Sequence, residues 1–255
     1  MRIRANNPSP MTLTGTNTYV LVARDDRSAL LIDPGPELAA HRDAILAEVG
    51  ERRLAAIVLT HQHADHSEML GSVDQWAPDV PVHAVLPEFS RHARPVRDGD
   101  TIAFGGDEAD VVRIVATPGH TMDSISVLHD GVLYSGDTVL GEGTTIVTHP
   151  QGSLEHYLDS LDRLTALLEA GEYSRIEPAH GPTIDHPAEV LDHYRRHRRE
   201  RIAQVRAALD QGARTAAEVC DIVYHDIDPS VRGAAEQIVR AQLSYLGALR
   251  PDDHA

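Results

Sequence analysis

The chain has 255 residues, 42% of them hydrophobic, and 39 acidic against 23 basic side chains leave a formal charge of -16. That length supplies one large or two modest domains with a real core, no run nears the ~18 apolar residues of a membrane span, and residues 1–6 lack the apolar stretch of a secretory leader, so a cytoplasmic enzyme is expected. Every basic side chain is arginine, which excludes Schiff-base chemistry and lysine-dependent phosphate loops, and a single Cys220 allows no internal disulfide.

Short apolar runs alternating with amphipathic stretches predict an α/β fold. Strands are expected at 19–22 and 29–32. Asp33-Pro34-Gly35-Pro36 then breaks the chain before a helix over 37–49, with Gly50 as its C-terminal cap. A buried strand at 54–59 leads into a polar loop and a helix over 67–76. Further strands are expected at 80–85, 111–115, 124–128 and 132–134, the last two joined by the hairpin signal Asp130-Gly131. Leu154, Tyr157, Leu158, Leu161, Leu164, Leu167 and Leu168 recur at helical spacing and predict a core-facing helix over 153–168. A boundary falls near Asp185-His186-Pro187, which divides the chain into a catalytic domain, 1–186, and a helical subdomain, 187–255. The subdomain should hold a long charged helix to about 210, a helix opened by the capping box Thr215 with Glu218, and a last helix over 230–249. Cys220 lies in the second of these as a small buried hydrophobe.

The most informative stretch is Thr60-His61-Gln62-His63-Ala64-Asp65-His66, which follows the buried strand directly. Three imidazoles and a carboxylate within six positions call for a metal, because neutral imidazole suits zinc and a neighbouring carboxylate suits zinc, iron or manganese. The device recurs. His120 closes Thr117-Pro118-Gly119-His120 after 111–115, Asp137 closes Ser135-Gly136-Asp137 after 132–134, and His180 stands in Pro178-Ala179-His180-Gly181 after Arg175-Ile176. In each case a strand, then a Pro/Gly or small-residue turn, delivers a ligand-type residue to a sheet edge.

His61-x-His63-x-Asp65-His66, followed by His120, Asp137 and His180, resembles the full ligand set of the metallo-β-lactamase superfamily. That resemblance implies a four-layer αβ/βα sandwich with two metals at the sheet edges: His61, His63 and His120 on the first, Asp65, His66 and His180 on the second, and Asp137 bridging. Within the superfamily, Asn7-Pro8-Ser9-Pro10, Gly15-Thr16-Asn17-Thr18-Tyr19, Gly136-Asp137-Thr138-Val139-Leu140-Gly141 and Pro178-Ala179-His180-Gly181-Pro182 are similar to the beta-lactamase-like protein 2 group, which is related to glyoxalase II. The resemblance covers nearly the whole chain and includes a small winged-helix-like tail, although residues 251–255 do not form two clear strands and any wing is truncated. It implies two Zn(2+) per chain, with iron or manganese as other metals the donors accept. Zinc ions ~3.5–4 Å apart would lower the pKa of a shared water toward ~7 and supply metal-bound hydroxide, with Asp65 orienting it and shuttling its proton.

Three activities follow from the resemblance: hydrolysis of a thioester, ester or lactone, cleavage of single-stranded RNA, and di-iron redox chemistry. The first is favoured and makes a small-molecule acyl compound the expected substrate, with RNA as the other partner and no membrane. Antibiotic hydrolysis is disfavoured by the absence of lysine and by Asp137 standing where some zinc β-lactamases have Cys. Asn17, Tyr19, Gly141 and His149 are expected to line the substrate pocket. Arg195, Arg196, Arg198, Arg199 and Arg201 could meet phosphates, but a solvated face paired with acids is the stronger reading. His41, His92 and His197 are expected on the surface.

Overall fold

The computed structural model describes residues 1–228 and 231–250. In chain order the elements are β1 (Arg2–Arg4), β2 (Asn17–Val22), β3 (Ser28–Ile32), α1 (Ala39–Val49), β4 (Arg53–Val58), α2 (Ala64–Ser67), α3 (Val73–Trp76), β5 (Val82–His83), β6 (Thr101–Ala103), β7 (Val111–Ala116), β8 (Ile125–His129), β9 (Val132–Gly136), α4 (Leu154–Glu169), β10 (Arg175–Pro178), α5 (Pro187–Asp210), α6 (Ala216–Val223) and α7 (Arg232–Tyr245). One sheet has the order β1-β2-β3-β4-β5 and the other β10-β9-β8-β7-β6.

Side-chain alternation sorts the layers, since successive residues of a strand face opposite ways. Tyr19, Leu21, Leu30 and Ile32 meet Val112, Ile114, Ile125 and Val127 in a core between the two sheets. Their neighbours Val20, Ala29 and Leu31 face outward onto Ile45 and Val49 of α1. On the far side Val115, Leu133 and Ile176 pack on Tyr157, Leu161 and Leu164 of α4 and on Leu191 and Tyr194 of α5. The result is the expected αβ/βα sandwich. A separate cluster, with Val205, Val219, Cys220, Val239 and Leu243 at its centre, joins α5, α6 and α7. Among the described residues the regular elements of this tail are all helices, so no wing is present there.

Several boundaries depart from the sequence pattern. The helix expected over 67–76 is broken into α2, a 3-10 turn at Glu68–Ser72 and α3; the 3-10 turn contains Gly71, a weak helix former. The strand expected over 80–85 shrinks to β5, an edge pair following Pro81, where proline cannot donate to a ladder. Two short outer strands, β1 and β6, were not anticipated; three residues are too few for a period to register. The Thr215/Glu218 capping box is formed. Ser230, the expected start of the last helix, and residues 251–255 lie outside the described residues.

β3 and β4 run parallel, and β7, β9 and β10 share one direction. The turns that follow these strands therefore collect along one edge of the sandwich. Backbone bonds stitch the halves together there, Ile125 N to Thr60 O at 2.9 Å and Asn17 N to Ala179 O at 2.7 Å, while Gly141 N to His180 O at 2.8 Å ties two ligand turns of the second half.

Candidate metal centre

All seven residues singled out in the sequence meet at this edge, in two groups: His61, His63, His120 and Asp137, and Asp65, His66 and His180. The turns that carry them admit little freedom. Gly119 has φ +137, and a Cβ there would lie 2.3 Å from Cα of Tyr157 in α4; a Cβ on Gly136, φ +52, would lie 2.8 Å from Thr60 Cβ. Only glycine allows such approach and backbone together. Ser160 of α4 holds the same turn, donating to Pro118 O at 2.7 Å.

Hydrogen bonds facing away from the centre set four of the five imidazoles. Thr60 Oγ1 donates to Asp33 Oδ2 at 2.7 Å, so its contact with His61 Nδ1 at 3.1 Å is a bond donated by the ring. His66 Nδ1 donates to Asp33 Oδ2 at 2.8 Å, His120 Nδ1 to Ile146 O at 2.7 Å and His180 Nδ1 to Gly15 O at 3.3 Å. Each of these four rings, when neutral, thus turns an unprotonated Nε2 inward. His63 turns Nδ1 inward, 3.0 Å from both His61 Nε2 and His120 Nε2. Three ring nitrogens converge close to the spacing, ~3.3 Å, that a tetrahedral zinc with bonds of ~2.0–2.1 Å requires of its donors.

Asp137 faces both groups. Its Oδ2 lies 3.6 Å from His120 Nε2 and 4.0 Å from His61 Nε2, while Oδ1 lies 3.2 Å from His180 Nε2 and 3.5 Å from His66 Nε2. Asp65 Oδ2 stands 3.3 Å from each of His66 Nε2 and His180 Nε2. Asp137 Oδ1 and His66 Nε2 are buried with no hydrogen-bond partner among the described residues. Such atoms are costly to leave unmet, and a cation at the point of convergence satisfies them. The donor set fits divalent metal.

The electrostatics of the two groups differ. Burial, reinforced by the neighbouring His66, pushes His61 well below the usual histidine range, and burial also lowers His120. For His180, burial is outweighed by the facing carboxylates of Asp137 and Asp65, and its pKa is pushed up to about 9. Asp65 and Asp137 resist burial because His66 and His180 face them, and both are held far below the usual carboxylate range.

Residues 11–170 match the metallo-beta-lactamase superfamily. The chain belongs to that superfamily and is a hydrolase. It is 32% identical to a beta-lactamase-like protein 2 homolog of Caenorhabditis elegans, covering 96% of this chain and 83% of that protein. It is also 32% identical to an atrochrysone carboxyl ACP thioesterase of Aspergillus fumigatus, covering 88% of this chain and 73% of that protein. The fold is shared with a metallo-beta-lactamase family protein of Thermus thermophilus, at TM-score 0.77 and 22% identity over 97% of this chain and 92% of that one.

The four residues expected to line a substrate pocket are placed as follows. Asn17 is buried, and its amide donates to Pro178 O and Gly181 O. Tyr19 sits in the core between the sheets, its hydroxyl donating to Pro178 O at 2.7 Å. Gly141 is pressed against Pro182, whose carbonyl would lie 2.1 Å from an added Cβ. His149 lines a different cavity of about 230 Å³ with Met122, Ser153 and Tyr245. The cavity that includes His120 and Asp137 holds about 200 Å³ and is walled by Pro10, Met11, Leu13, Leu140, Glu142 and Ile146, with Gly143, Thr144 and Thr145. His41 is misplaced by sequence reasoning: it is buried, and since Thr18 Oγ1 donates to Asp33 O, its Nε2 donates to Thr18 Oγ1 at 2.8 Å.

Two positions near the centre escaped notice. Asp33 is 1% exposed and accepts from Thr60 N, Thr60 Oγ1 and His66 Nδ1. Thr16 donates to Asp65 Oδ2 at 3.0 Å and is itself held by Asn7 Nδ2. Asp33 follows strand β3 and precedes Pro34-Gly35, which is the same strand-turn-ligand signal as the other positions.

Proposed function

We propose that the protein is a dinuclear zinc hydrolase acting on an uncharged thioester, ester or lactone. His61, His63 and His120 would hold the first ion, Asp65, His66 and His180 the second, and Asp137 would bridge them. Bound metal of this kind supplies Lewis acidity and an activated water at neutral pH. The observation that carries the acyl reading is the wall of the cavity. Pro10, Met11, Leu13, Leu140 and Ile146 make it apolar, Glu142 adds negative charge, and among the described residues no arginine lines it. An RNA backbone needs cations along its path.

Four of the α5 arginines are engaged elsewhere. Arg195 pairs with Asp162 at 2.7 Å and Arg196 with Asp192, Arg201 lies over the Tyr224 ring, and Arg198 is buried. This supports the solvated-face reading of that cluster and leaves RNA cleavage as the alternative to be tested. No helix among the described residues is long and apolar enough to cross a membrane. The cytoplasmic location proposed for the enzyme rests instead on its lone, unpaired cysteine, Cys220, which suits a reducing compartment.

The residues divide the work as follows. Thr16 fixes Asp65 through Oδ2, and among the described residues no hydrogen bond reaches Oδ1. Oδ1 is therefore the atom to take a proton from water as its oxygen attacks the acyl carbon. The proton then passes to the departing sulfur or oxygen as its bond to carbon breaks, giving an acid and a thiol or alcohol. The apolar wall holds the acyl chain and limits bulk water. The test is a panel of neutral thioesters, lactones and single-stranded RNA, with metal analysis of the protein as purified. Turnover of a neutral acyl compound with about two zinc ions per chain is expected; RNA cleavage without acyl turnover overturns the reading.

A further inference from the structure

One buried polar route connects the helical tail to the metal centre. Arg198 on α5 is 4% exposed, and its Nη2 donates to the backbone carbonyl of Thr145. Its guanidinium lies over the ring of Tyr157, 4.9 Å from the centroid, while its Nε finds no partner among the described residues. No carboxylate forms an ion pair with it among the described residues. A buried, unpaired cation is costly, so its persistence asks for a task.

The task is visible one bond further on. Thr145 is itself buried, and its Oγ1 donates to the backbone carbonyl of Asp137 at 2.7 Å and to that of Thr138 at 3.2 Å. Two tyrosines brace the same loop. Tyr157 donates to Thr138 O at 2.7 Å, and Tyr194, one turn before Arg198, accepts from Leu140 N at 2.8 Å. Asp137 must present one oxygen to each ligand group, and a small tilt of its backbone would swing both away.

We propose that Arg198 is a positioning residue for Asp137: its guanidinium fixes the Thr145 carbonyl, the Thr145 hydroxyl fixes the Asp137 backbone, and the carboxylate is thereby held astride the two metal sites. The tail is then part of the centre although none of its residues is a ligand. A guanidinium suits this place because it can donate in its plane while its face stacks on Tyr157.

The inference rests on reading the seven side chains as a two-metal centre, and its test uses cobalt(II) alone, so no substrate is needed. Metal-free protein is titrated with cobalt and followed by visible absorption for the parent, Arg198→Met, Thr145→Val and the double variant. Each single variant should bind the weaker equivalent about 10-fold less tightly, the low end for residues that orient ligands, with its melting temperature little changed. The double variant should be no worse than the poorer single, because both act on one path. Arg198→Lys, which keeps a donor and the charge, should recover part of the loss. Unchanged cobalt affinity in Arg198→Met, or losses that add in the double variant, overturns the relay. Should Arg198→Met not fold, Thr145→Val decides, and parent-like affinity there overturns it too. A parent that binds less than about one cobalt defeats the two-metal reading itself, whereas two ions bound equally by all proteins defeat only the relay.

Discussion

Asp33→Asn isolates the part of the centre that orients a ligand without being one. Asp33 has φ +52, a conformation asparagine tolerates better than most residues, so the substitution leaves the backbone unstrained. Its carboxylate accepts from Thr60 N at 2.7 Å, Thr60 Oγ1 at 2.7 Å and His66 Nδ1 at 2.8 Å. An amide carries two protons on one of its terminal atoms, and every direction here is already occupied by a donor. If the nitrogen takes the Oδ2 side it faces His66 and Thr60 Oγ1; if it takes the Oδ1 side it faces the Thr60 backbone. Leaving such buried groups opposed costs roughly 1–3 kcal/mol, which is about 5–150-fold in an equilibrium constant. The loss should fall on the second metal, because His66 loses the partner that keeps Nε2 free, while His63 and His120 do not touch Asp33. Competition of zinc between the protein and a chelator, with stoichiometry from elemental analysis, reads both sites. Parent-like affinity for both ions in Asp33→Asn would refute the account of how His66 is set.

Asp65→Asn keeps one oxygen for the second metal but removes the proton acceptor; turnover should fall at least ~100-fold, the scale of losing a positioned base, with the first metal still bound, and near-normal turnover would count against the proton role. For His41, burial lowers the pKa from the ordinary 6.5 to about 4, so the unfolded chain binds its proton more readily and stability, intact above pH 6.5, drains away as pH falls toward 4; the loss is about 2 kcal/mol at pH 5. In metal-free protein His41→Gln should lack that component, and identical pH dependence of unfolding in parent and variant between about pH 7.5 and 5 would remove it. A chain ending near Asp185 should be poorly soluble, because it uncovers the α4 face on which Leu191 and Tyr194 pack; each is worth roughly 1.5–3 kcal/mol when buried, together a large share of a typical domain's stability. A well-folded truncated protein would mean that the division near residue 186 separates independent units.

The residues proposed as metal ligands could be read from the sequence because coordination restricts residue type. Only a few side chains bind zinc, and a rigid strand followed by a tight turn is an economical way to aim one, so His61, His120, Asp137 and His180 repeat a recognisable pattern. Asp33 obeys the same pattern after β3 but was passed over, since Asp-Pro-Gly-Pro also reads as a simple chain breaker. His41 illustrates a related blind spot. It lies on a helix of mixed composition, where nothing local says that Thr18 and the turn at Gly35 will close over it.

The cavity wall was not legible for a different reason. Apolar residues at 10–13 and 140–146 make no periodic pattern, and what matters about them is where two loops far apart in sequence meet. Such loops need shape and polarity rather than a particular residue. Asn17 and Tyr19 looked like pocket residues because they adjoin the site in sequence, but they face the partner sheet and hold Pro178 and Gly181, the frame of His180. They shape the centre from behind. The same holds for α5, where a run of arginines suggested a surface for phosphates. Only packing reveals that Arg198 points inward, so that a charge counted with its neighbours in the sequence belongs instead to the wiring of Asp137.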